Sequence, residues 1–70
     1  MKAFVTFFKP TGKYYADEIF TDFTKDDNPV TVFEKIKEHF KTTCKGMHMV
    51  VTFDDIYDKG YPFMLPADQR

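Results

Sequence analysis

The chain predicts a small α+β domain of order ββαβ, with one helix packed on one face of a sheet. Three observations predict it. Two runs rich in β-branched and aromatic residues flank a Pro-Thr-Gly turn, one amphipathic stretch follows a proline, and a further apolar run follows a glycine. Hydrophobic periodicity goes from two to 3.6 and back to two along that order. Seventy residues make one domain, near the size at which a single core is barely sufficient. The domain is expected over 1–66, with 67–70 as a flexible tail.

Ala3 to Phe8 is the first strand, ended by Lys9-Pro10. Both of its faces are apolar, Phe4 and Phe8 on one side, Val5 and Phe7 on the other, so it belongs in the middle of its sheet. Pro10 suits the second position of a turn and Gly12 a positive φ. Lys13 to about Phe23 then returns antiparallel. This second strand carries charge on both faces, which protects an exposed edge against aggregation.

Thr24 to Asn28 is a polar loop. Asn28 can cap a helix with Pro29 at its first position, where the missing N–H costs nothing; Thr31-Val-Phe-Glu34 is an alternative capping box. Val32 or Phe33, Ile36 and Phe40 recur at helical spacing, while Glu34, Lys35, Lys37, Glu38 and Lys41 face water. The helix should run about 14 residues, fray through Thr42-Thr43 and stop at Gly46. Met47 to Phe53 is a third, internal strand, parallel in direction to the second and separated from it by the first. After a loop with Gly60 as a left-handed residue, Tyr61 to Pro66 can add a short fourth strand. Pro62 and Pro66 confine it to an edge.

That layout poses a question about the stretch KPTGKYYADEIFTDF. One helix covers one face of a sheet, yet the central strand is apolar on both. Nine Phe and four Tyr in 70 residues supply core area economically, and most of them belong there. The rest are left for another surface.

The turn residues Thr11-Gly-Lys-Tyr-Tyr15, with the later helix and the closing Gly60-Tyr-Pro-Phe-Met-Leu-Pro66, resemble small uncharacterised proteins encoded by tailed bacteriophages. The resemblance implies an accessory phage protein acting in the host cytoplasm and carries over no site residue.

Composition excludes several chemistries. There is no serine, so a Ser-His-Asp hydrolase is out. Cys44 is the sole cysteine, which suits a reducing cytoplasm and forbids an internal disulfide. It lies near a helix C-terminus, where the dipole disfavours a thiolate, so a pairing with His39 or His48 is not expected to be nucleophilic. The same three residues lack zinc spacing. Asp54, Asp55 and Asp58 lack the EF-hand pattern and read as a solvated turn. No phosphate-binding glycine fingerprint occurs, and no stretch approaches a membrane span. Neither enzyme, metal nor cofactor is expected.

Two binding readings remain. A formal charge of −1 gives no bulk attraction to nucleic acid. Charge is nonetheless segregated, with six acids and one lysine over 14–34 and four lysines and one acid over 35–45. The first reading is a protein-binding surface made of Tyr14, Tyr15, Asp17, Glu18, Phe20 and Asp22, with homodimerisation through apolar sheet surface. In it Tyr15 shares a strand face with Asp17, and Tyr14 the other with Glu18. The alternative is single-stranded nucleic acid stacked on an aromatic sheet face, with Lys35, Lys37, Lys41 and Lys45 on its phosphates.

Overall fold

The computed structural model describes residues 1–53 and 63–70. The elements run β1 (Ala3–Phe8), β2 (Tyr14–Phe20), α1 (Pro29–His39), β3 (His48–Phe53), β4 (Phe63–Leu65) and a 3-10 turn η1 (Ala67–Gln69). The strands form one antiparallel sheet in the order β2-β1-β3-β4. This is the expected α+β fold, with β1 central and the short fourth strand at an edge. The loop expected over 54–60, its acidic residues and the start of the fourth strand at Tyr61 and Pro62 lie outside the described residues.

The β1–β2 hairpin closes as its turn residues require. Gly12 takes φ 93° and its N–H donates to Lys9 O at 2.7 Å, while Lys9 N–H donates to Lys13 O at 2.8 Å. Asn28 caps α1, its side chain accepting from Val30 N–H at 2.8 Å, with Pro29 at the first position. The capping box at Thr31 is not used, because Thr31 already lies inside the helix. The helix is also shorter than expected, 11 residues ending at His39. Residues 40–46 continue as turns with Cys44 at φ 50° and Gly46 at φ 80°.

The core forms on one side of the sheet. Ala3, Val5 and Phe7 of β1 and Met49 and Val51 of β3 are buried with Val32 and Ile36 of α1. Phe7, Phe20, Phe23 and Phe40 are buried there, and Phe33, Phe53 and Phe63 pack against them. Their rings meet edge-on or stacked; Phe33 of α1 stacks on Phe63 of β4 at 5.0 Å, and Phe7 meets Phe40 at 5.9 Å. Such pairs add roughly 0.5–1.5 kcal/mol each beyond their buried area. Most of the phenylalanine content is therefore core, as a chain this short needs.

The segment 67–70, expected to be a flexible tail, is placed against the body. The Ala67 N–H donates to His48 Nδ1 at 3.0 Å, and Arg70 bonds to the turns after α1.

Candidate functional site

The face of the sheet away from α1 is the surface left over. A helix of 11 residues is roughly 16 Å long and 10 Å across, enough for one side of four strands spaced about 4.8 Å apart. Strand register aligns three rows on the open side. Ile19, Phe4 and Thr52 form the first; Asp17, Thr6, Val50 and Met64 the second; Tyr14, Phe8 and His48 the third. Phe4, Tyr14, Ile19 and Met64 are 42%, 58%, 57% and 61% exposed.

Asp17 sits in the second row on the edge strand. Its carboxylate accepts from Thr6 Oγ1 of β1 at 3.0 Å and from the Tyr14 hydroxyl at 2.8 Å. The bond to Asp17 raises the Tyr14 phenol above its ordinary value of 10.0, with desolvation and the Asp17 charge pushing the same way. The Asp17 carboxylate is thus held in one orientation on a surface that also exposes Phe4, Tyr14, Ile19 and Met64.

A bulge decides which tyrosine reaches it. Register shifts between Phe7 and Phe8, whose partners are Ala16 and Tyr14, so Tyr15 is the extra residue. Period-two counting puts Tyr15 on the Asp17 face and Tyr14 on the other; the inserted residue reverses this for Tyr14. Tyr15 is exposed, and the Lys9 ammonium lies 5.9 Å from its ring centre. Consecutive Gly, Lys and Tyr residues after a proline turn give no local sign of a bulge.

The other expected site residues scatter. Phe20 is not surface at all. It is 5% exposed, on the row of Ala3 and Phe53, and it stacks on Phe23 at 6.1 Å. Glu18 pairs in register with Val5, on the helix side. It stays exposed because β2 is the edge strand. Asp22 lines a shallow groove with Phe20, Lys35, Glu38 and His39. The surface thus brings Tyr14 and Asp17 together and adds Phe4, Ile19 and Met64, which alternation on a strand apolar on both faces marks only in part.

The lysines of the alternative reading belong to the helix and the turns after it. Lys35, Lys41 and Lys45 are exposed. Lys37 pairs with Glu34 at 2.8 Å and lies 5.4 Å from the Phe33 ring centre. Since α1 packs on the opposite side of the sheet from Phe4 and Tyr14, the helix lysines do not share a face with these aromatics.

Among the described residues, no group of three or more His, Cys, Asp or Glu could hold a metal ion, and no helix is long and apolar enough to cross a membrane. Cys44 is half-buried against the core. No family model, no curated protein and no solved structure matches the chain.

Proposed function

We propose that the chain is a non-enzymatic protein that binds another protein through the open face of its sheet. The observation that carries this reading is the juxtaposition there of exposed Phe4, Ile19, Met64 and Tyr14 with one fixed carboxylate, Asp17. Exposed aromatic and aliphatic side chains supply contact area, and a carboxylate held by two hydroxyls favours a basic group opposite it. Holding the side chain in place beforehand lowers the ordering cost of contact. A second copy of the chain is one occupant in keeping with the apolar content of the face. The Thr11–Tyr15 turn and the closing Gly60–Pro66 stretch support placing the chain among small accessory proteins of tailed phages, with a host or virion protein as partner.

The nucleic-acid reading keeps less support, since its aromatics and its lysines lie on opposite sides of the sheet. Site-directed photocrosslinking tests the proposal. A photoreactive phenylalanine at Ile19 should crosslink a protein in cells, and the same group at Lys35 should not. Equal crosslinking from both positions would remove the open face from consideration.

A further inference from the structure

The carbonyls at the end of α1 accept locally, Ile36 O from Phe40 N–H and Glu38 O from Lys41 N–H. Those of the following turns have lone pairs left for a further donor, Phe40 O accepting from Thr43 N–H and Cys44 O from Met47 N–H. Beyond α1 the left-handed residues Cys44 and Gly46 turn the chain, and the carbonyls of Phe40, Thr43, Cys44 and Met47 converge on the Arg70 guanidinium. Nη1 donates to Cys44 O at 2.8 Å and to Met47 O at 2.9 Å. Nη2 donates to Phe40 O at 2.9 Å and to Thr43 O at 2.6 Å. The guanidinium carbon lies 5.1 Å from the centre of the Phe7 ring.

This is a guanidinium's shape rather than a generic cation's. A planar fork divides its donors between two pairs of acceptors while its weakly hydrated face rests on an aromatic ring. An ammonium offers three donors about a point and no flat face. The attraction comes from the partial negative charge of four carbonyl oxygens in the turns just beyond α1.

Upstream of Arg70, β4 pairs with β3 and its Phe63 and Leu65 pack against the core. Among the described residues, the segment 67–70 itself is held by the Ala67 N–H bond to His48 Nδ1 and by the Arg70 contacts. A groove of about 240 Å³ lies between the helix and this segment, lined by Glu34 and Glu38 with Lys37, Lys41, Leu65, Gln69 and Arg70.

We infer that the four carbonyls and the Phe7 ring form a binding site for an alkylguanidinium group, filled in the folded chain by Arg70 and open to the same group in trans when this segment lifts. The inference is independent of what binds the open sheet face, which lies on the other side of the sheet.

Arg70→Ala empties the cradle without touching its walls. Ethylguanidinium is the probe and ethylammonium the control, both at millimolar concentration, below the denaturing range of guanidinium salts. The variant should melt roughly 5–10 °C below the wild type, the scale set by losing charged hydrogen bonds in a small domain. Ethylguanidinium should restore half or more of that loss, ethylammonium should not, and neither should move the wild type. Amide NMR shifts on adding ethylguanidinium should concentrate at 40–47. An Arg70→Lys variant, which keeps the charge and loses the fork, should respond in the same way and serves if Arg70→Ala does not fold. Equal responses to the two cations, no response in either variant, or shifts spread over the whole chain would overturn the site.

Discussion

Asp17 receives a hydroxyl from each of two strands, and a carboxylate so held acts on its donors in return. The phenolate of Tyr14 would face that charge and lose the shared proton, which is why its pKa is raised. The sign for stability follows from the direction. The contribution of the pair is fully present below the ordinary tyrosine value of 10.0 and is lost as pH rises through the raised value in the fold. Asp17→Asn should bring the Tyr14 midpoint down. Phenolate absorbance titrations, taken as the difference between each background and its Tyr14→Phe counterpart, measure this directly. An unchanged midpoint would mean that the charge of Asp17 does not act on the phenol.

Phe4 and Phe20 form a second residue-scale contrast, since both are aromatic and both lie on the hairpin. Phe20→Ala empties a site that is 5% exposed and should cost about 3–5 kcal/mol. Phe4, 42% exposed, should cost about 1 kcal/mol or less, because much of its surface is already in water. Urea unfolding of the two variants checks the order. Comparable losses would place Phe4 in a packed environment that the single chain does not provide.

At the level of elements, each terminus of α1 has its own solution. The N-terminus is local: Asn28→Ala removes the acceptor for Val30 N–H and should cost about 1 kcal/mol, visible as a lower urea midpoint with unchanged slope. The C-terminus is closed locally by Phe40 N–H on Ile36 O and Lys41 N–H on Glu38 O. The turns beyond it are not local, since their carbonyls meet Arg70, 30 residues from Phe40. Burial of that guanidinium lowers its pKa, with Cys44 opposing. The hairpin shows the same division. Its turn follows from Pro10 and Gly12, whereas the bulge at Tyr15 belongs to the fit of β2 onto β1.

The whole molecule is a sheet covered on one side. Its outer face exposes Phe4, Tyr14, Ile19 and Met64, and the proposed binding of a second copy would cover them. Sedimentation at tens of micromolar should show a dimer, and Ile19→Lys should shift it to monomer with little change in melting temperature. Ile19 is suited to this because it is 57% exposed and no core residue depends on it. A wild type that sediments as a monomer at that concentration would leave the face to a different protein.

Turn chemistry, helix capping and the change of hydrophobic period reside in a few neighbouring residues. Together they determined the element order, the central place of β1 and the one-sided helix from the sequence alone. Three matters needed the tertiary structure: the inward turn of Phe20, the pairing of Tyr14 rather than Tyr15 with Asp17, and the docking of Arg70. The first and third are settled by contact between segments far apart in the chain, and the second by how β2 pairs with its neighbour β1. An aromatic residue at an edge reads the same whether it faces core or solvent. A one-residue bulge reverses strand parity without a composition signal, and nothing near Arg70 indicates that four carbonyls from another part of the chain will meet it. Local periodicity sets which elements form, and long-range hydrogen bonding and packing set which side chains they present.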